Sequence, residues 1–342
     1  MTTNFRIAIV GAASIRGKQL NEALGESTFS AAEFLLLDDQ EALGQLEAVG
    51  DEITFIQPIT ADSFDHIDFT FFAGTPELTR RHWLAAQRAG SSIVDLTAAL
   101  EAEPGVLVCA PWLKEAMGEV ATVPKLHTPA LVSAHPAALA LALLLERMQQ
   151  LGAIRTVSAT VLEPASEYGK AALDELHQQT VALLSFQTIP TQVYDVQVAF
   201  NTVGTFGEGA RISLADSESR IRRHYALLSG GRLPQLSLQL IHVPAFHGHT
   251  FSIAVEYERP VTLEQIEAAL SAPHLELILS DVDAPGNLNS IGDQDVSVRV
   301  RFDDQPKKLW LWASADNLEL SVLNAVECAQ ELRKLRPQGK VQ

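Results

Sequence analysis

An apolar run of strand length, Arg6-Ile-Ala-Ile-Val10, breaks at Gly11, and a helical spacing of apolar residues (Leu20, Ala23, Leu24) follows at once. A buried strand feeding directly into a helix is how a βαβ unit with a parallel sheet begins. In the dinucleotide-binding version of that unit, glycines recur at three-residue spacing, here positions 11, 14 and 17. Gly11 and Gly17 are present. Ser14 stands at the middle position, where a bare backbone normally lets a pyrophosphate approach. The turn marks Gly11, Ser14, Ile15 and Gly17 as cofactor-binding positions, with the ligand contact damaged at Ser14.

Short apolar runs at 33–38, 52–56, 67–74, 92–95, 105–110 and 129–133, with a helical pattern over 76–88, predict a parallel sheet with crossover helices. The second run ends in Asp38-Asp39, and an acidic residue there accepts a hydrogen bond from a ribose 2′-hydroxyl. No lysine or arginine occurs between Lys18 and Arg80, so a 2′-phosphate would meet carboxylates alone. NAD is the possible cofactor, and NADP fits less well.

The second half changes character. Residues 137–146 are apolar nearly all round and predict a buried helix, too short to span a membrane. A strand at 154–161 precedes an amphipathic helix at 170–184 and a charged one at 216–228. Runs near 236–243, 250–257, 296–302 and 309–313 alternate polar and apolar, as antiparallel strands with one exposed face do. Trp310 and Trp312 then read as sheet packing. Asp316-Asn317 caps a last helix running to Leu335.

A chain of 342 residues is long enough for two domains. Its formal net charge of −17 argues against nucleic acid and anionic membranes as partners. Two cysteines, Cys109 and Cys328, argue against a disulfide framework and a cysteine-rich metal site. The chain enters its first strand without a secretory pattern, and a cytoplasmic location is expected.

With these pieces placed, the chain resembles the aspartate-semialdehyde dehydrogenase family along nearly its whole length, and is most similar to its divergent Usg branch. Gly11-Ala-Ala-Ser14 is similar to the family's Gly-Ala-Thr-Gly turn, and Asp95-Leu-Thr97 to its Asp-x-Ser. Val198-Ala-Phe-Asn201, Val243-Pro-Ala-Phe-His-Gly-His249, Asp316-Asn-Leu318 and Asn324-Ala-Val326 match later segments in order. The resemblance implies an α/β fold. A Rossmann-type parallel-sheet nucleotide domain would comprise 1–132 and 315–342, with an α+β catalytic and dimerisation domain at 133–314. It also implies a homodimer, and a family reaction that reduces aspartyl phosphate with NADPH through a cysteine thioester.

That chemistry needs a thiolate, an acid/base and cations for an anionic substrate. The resemblance lays the family's Asn-Pro-Asn-Cys over Ser133-Ala134-His135-Pro136, so the nucleophile position is Pro136. The phosphate-contacting arginine falls on Glu101, the substrate-binding arginine on His242, and the substrate-orienting glutamine on Glu163. His249 retains the catalytic histidine. These replacements predict a pseudoenzyme with a structural, regulatory or NAD-sensing role. The alternative is an oxidoreductase or other enzyme of altered chemistry on an unidentified small molecule, with His249, Glu163 and His135 catalytic and His242 binding substrate. A zinc site built from the same groups, His135, Glu163, His242 and His249, with His247 on the strand face of His249, is a third reading. Its ligands would come from scattered segments, so no metal is expected.

Overall fold

Runs of β-branched and aromatic residues, punctuated by capped helices, build two units in the computed structural model. It describes residues 5–39, 46–49, 52–118, 123–279, 284–305 and 307–336. Contacts divide the chain into Met1–Ala134 with Ser321–Gln342, and His135–Leu320.

The first unit contains β1 (Arg6–Val10), α1 (Ile15–Gly25), β2 (Glu33–Asp38), β3 (Leu46–Val49), β4 (Glu52–Phe55) and β5 (Gln57–Pro58). It continues with β6 (Phe69–Phe72), α2 (Pro76–Arg88), β7 (Ser92–Asp95), β8 (Leu107–Cys109), α3 (Pro111–Met117) and β9 (Leu131–Ser133). Seven parallel-paired strands form one sheet in the order β5-β2-β1-β6-β7-β9-β8. β1 lies between β2 and β6, and Ile7 to Val10 are fully buried. Ile7 and Ile9 join one core with Leu20, Leu24, Phe69 and Phe71, while Ala8 and Val10 face a second with Phe72, Leu78 and Trp83. Burial on both faces explains the uninterrupted apolar run. α2 starts where its sequence says it should: the Thr75 hydroxyl caps it and Pro76 opens it.

One expected strand of this sheet lies elsewhere. The 52–56 run becomes β4, which pairs antiparallel with β3 in a separate two-stranded ribbon. A short apolar run carries its own tendency to extend but not the identity of its neighbour. α3 escaped the sequence reading because a helix of seven residues barely completes a periodic pattern.

The second unit contains α4 (Pro136–Gln149), β10 (Ile154–Glu163), α5 (Lys170–Leu184), α6 (Leu214–Ser229), β11 (Leu236–His242) and β12 (His249–Tyr257). α7 (Leu263–Leu270), β13 (Leu275–Leu277), β14 (Val296–Phe302) and β15 (Lys308–Ala315) follow. α8 (Asn317–Leu335) begins here and supplies the last segment of the first unit. α4 is buried along almost its whole length, as its apolar circumference requires, and packs with α6 and α7. The six-stranded sheet runs β11-β10-β12-β15-β14-β13.

Its pairing corrects the expectation of antiparallel strands. β10/β12, β12/β15 and β14/β15 are antiparallel, but β11 lies parallel to β10 and β13 parallel to β14. The chain between β10 and β11 passes through α5 and α6, the long crossover that a parallel neighbour demands. On the face opposite the core, Arg299 pairs with Trp312 and Arg301 with Trp310. The indole N–H of Trp312 donates to Pro285 O and that of Trp310 to Asp303 Oδ2.

Candidate functional site

Two places carry the residues that the sequence singled out, one in each unit. In the first, Gly11 adopts φ +85°, and a Cβ there would stand 2.2 Å from Gly74 Cα. A Cβ on Gly17 would stand 2.3 Å from Gly11 O. Both glycines are demanded by backbone packing, one for the tight turn and one for the approach of helix to strand.

Ser14 meets a different need. It is the N-cap of α1: its hydroxyl accepts from Gly17 N at 2.8 Å and donates to Ala73 O at 2.9 Å. The preceding amides are also engaged. Gly11 N and Ala12 N donate to Leu37 O, Ala13 N to Asp38 Oδ2 at 2.8 Å, and Ser14 N to Gly11 O. Asp38 Oδ1 accepts from Asp39 N. Ile15 opens α1 directly after the cap. The signal for this arrangement was present in the sequence, since serine before a helical pattern is an N-cap signature.

The second unit brings His242, Glu163 and His249 into one row. Register places Glu163 opposite His242 on β11, and the Leu162–Thr250 pair places Glu163 next to His249 on β12. Side chains directly opposite one another share a face. All three are fully buried. Glu163 Oε1 accepts from Ser217 Oγ at 2.8 Å. Burial, helped by the charge of Glu167, pushes the Glu163 carboxyl up to about 8. His242 is boxed by the rings of Tyr194, Phe206 and Tyr168, with centroids 5.0, 5.3 and 6.2 Å away. Burial lowers its pKa to about 4. Burial also lowers that of His249, against the opposing charges of Glu167 and Asp316. At neutral pH the row therefore holds two neutral imidazoles and a protonated carboxyl. Among the described residues, neither ring nitrogen of His242 or His249, nor Glu163 Oε2, has a hydrogen-bond partner.

His135 lies beside this row, its ring 5.8 Å from that of His249. It is the N-cap of α4: Nδ1 accepts from Ala137 N at 3.2 Å, and Nε2 lies 3.3 Å from Glu167 Oε1. This pattern assigns the ring proton to Nε2. The His135 amide donates to His224 Nδ1. Pro136 is the first residue of the helix, where its missing N–H costs nothing.

Glu167 was not singled out from the sequence, and Asn317 only in a helix cap and a family-like segment, yet they organise the neighbourhood. Asn317 Nδ2 donates to Glu167 Oε2, and its Oδ1 accepts from Ser166 Oγ and Gly248 N. Gly248, at φ +85°, forms the turn that delivers His249. His247 precedes β12 and lies outside that strand. Among the described residues, no group of three histidine, cysteine, aspartate or glutamate side chains is arranged to hold a metal ion.

Glu101 lies in the first unit, in the turn after β7. Both cysteines belong to that unit as well. Cys328 Sγ donates to Cys109 O at 3.7 Å, and burial raises its thiol pKa, as for a structural rather than a reactive cysteine.

Residues 6–121 match the description "Semialdehyde dehydrogenase, NAD binding domain", and residues 145–320 match "Semialdehyde dehydrogenase, dimerisation domain". The chain is 31% identical over 342 residues to a USG-1 protein homolog of Azotobacter vinelandii, covering 98% of this chain and 99% of that protein. It is 24% identical over 341 residues to an aspartate-semialdehyde dehydrogenase of Rickettsia bellii, covering 98% and 99% of the two chains. In fold it is similar to the solved aspartate semialdehyde dehydrogenase II of Vibrio cholerae, with TM-score 0.85, 23% identity, and 97% and 99% of the two chains covered. A parallel-sheet unit with a glycine turn, joined in sequence to a mixed-sheet unit with a buried histidine row, is thus matched domain by domain, and the chain belongs to the semialdehyde dehydrogenase family as a divergent, Usg-type member.

Proposed function

We propose that this chain is a pseudoenzyme of its family, a homodimeric protein with a structural or regulatory role that does not run the thioester dehydrogenase reaction. One observation carries the reading: the helix that the family's nucleophile would precede opens on Pro136, and both thiols of the chain are buried in the other unit. A proline ring offers no electron pair to attack a carbonyl. His135, engaged through both ring nitrogens, positions the start of α4 rather than transferring protons. An anionic substrate would find Glu163 and His242 where the resemblance implies a glutamine and an arginine.

The match of residues 145–320 to a semialdehyde dehydrogenase dimerisation domain supports a two-copy assembly. The net charge of −17 fits a protein working in the cytoplasm without nucleic acid, and no helix among the described residues is long and apolar enough to cross a membrane. Should a dinucleotide enter the first unit, Asp38 and the lack of lysine or arginine from 19 to 79 favour NAD over NADP.

The test is an assay of purified protein with aspartate semialdehyde, phosphate and NAD or NADP, beside a variant carrying His249→Gln. No turnover above the blank is expected. Turnover that His249→Gln abolishes would overturn the reading. Altered chemistry in the same place is the second reading, favoured by the unpartnered, buried nitrogens of His242 and His249. Its signature would be a small-molecule conversion lost in both Glu163→Gln and His249→Gln.

A further inference from the structure

We infer that the nucleotide turn of the first unit is closed by the protein's own groups, so that the native chain holds neither NAD nor NADP and Ser14 is the residue that closes it.

A dinucleotide docks on this turn by placing its pyrophosphate at the N-terminus of the following helix, against unpaired amides and the positive end of the dipole. Here Gly17 N, the third amide of α1, is already taken. The Ser14 hydroxyl accepts from Gly17 N, and its second bond, to Ala73 O, pins it in place. The amides of Gly11, Ala12, Ala13 and Ser14 all donate within the chain. One of their acceptors, Asp38 Oδ2, is a carboxylate seated on Ala13 N, and an incoming phosphate would have to approach that negative charge. Arg16, in the first turn of α1, donates to Leu96 O.

The glycines separate along the same line. Gly11 and Gly17 are kept where a Cβ would strike backbone at 2.2 and 2.3 Å, which is a requirement of the fold alone. The middle glycine, whose absent side chain serves the ligand, is the one replaced. A serine cap supplies from within what a phosphate would have supplied from outside: an acceptor for the Gly17 amide of the first turn.

The inference concerns the first unit and does not depend on the reading of His242, Glu163 and His249. The experiment is calorimetric titration of NAD, and separately NADP, into the full chain and into Ser14→Gly. Glycine is a tolerated N-cap, so the variant is expected to fold. No saturable binding by the native chain at millimolar dinucleotide, with binding of NAD appearing in Ser14→Gly, would support the inference. Saturable binding of either dinucleotide by the native chain would overturn it. So would a folded Ser14→Gly that binds no better than the native chain, since the hydroxyl would then not be what closes the turn. Hydrogen exchange at the Gly17 amide of the native chain needs no variant: exchange unchanged by NAD supports the inference, and slowed exchange refutes it.

Discussion

The turn after β1 and the row at the ends of β10, β11 and β12 have treated their polar groups in opposite ways. In the turn, four successive amides and the Ser14 hydroxyl all find partners inside the protein. In the row, four imidazole nitrogens and one carboxyl oxygen are buried without partners among the described residues. A helix-terminal amide beside a turn can be satisfied by one side chain, as the Ser14 hydroxyl does for Gly17 N. A buried histidine or glutamate on a central strand has no such local remedy. Its polar atoms must be met by a neighbour or left at a cost of about 1–3 kcal/mol each. A turn can thus meet its polar groups locally, while a row on paired strands leaves buried polar atoms without partners among the described residues.

The largest effect that would sharpen this contrast is pH-dependent. Glu163 has its folded pKa raised to about 8, so the native state holds a proton that the unfolded chain has released. Its contribution is complete below the unfolded carboxylate pKa and is lost as pH rises through about 8. A shift of this size corresponds to stability on the order of 5 kcal/mol. Glu163→Gln keeps an acceptor for Ser217 but cannot ionise. Denaturant unfolding across this window should show the native chain losing stability relative to the variant as pH rises. Parallel profiles would mean that the row is not charged at the expense of folding.

Gly11→Ala probes the other side of the comparison. A Cβ meeting Gly74 Cα at 2.2 Å, on a residue at φ +85°, should cost about 3 kcal/mol or more. Thermal melting would read this directly, and a neutral outcome would show the turn to be more pliant than its packing implies. Next comes Asn317→Ala, which removes partners from Ser166 Oγ, Gly248 N and Glu167. A loss of about 2 kcal/mol is expected from the orphaned buried groups.

The smallest effect separates two substitutions at one position. Ser14→Ala should destabilise by about 1 kcal/mol, and Ser14→Gly by only a few tenths. The order matters more than the size. Equal melting temperatures for alanine and the native serine would mean that the cap seen at Gly17 contributes little, and the account of a self-satisfied turn would weaken with it.

Much of the first unit was legible because its signals are local. Alternating strands and helices, Thr75-Pro76 at the head of α2 and Asp316 before α8 all act within a few residues, and each marks an element found in the fold. The placement of β4 was not legible, because a run of four extended residues carries no record of whether β3 or the main sheet will pair with it. The parallel setting of β11 against β10 depends on a crossover of some seventy residues that the strand's alternation does not encode.

The same division runs through the candidate sites. Sequence alone determined that residue 136 has no thiol, that position 14 is not glycine and that the chain carries an excess of acid, because these are facts of covalent composition. Only the tertiary structure decided that His242, Glu163 and His249 stand side by side, that Ser14 reaches both Gly17 and Ala73, and that Asn317 joins Glu167 to the turn before His249. Those meetings join residues up to 150 positions apart, and they are set by strand register and core packing, which no window along the chain contains.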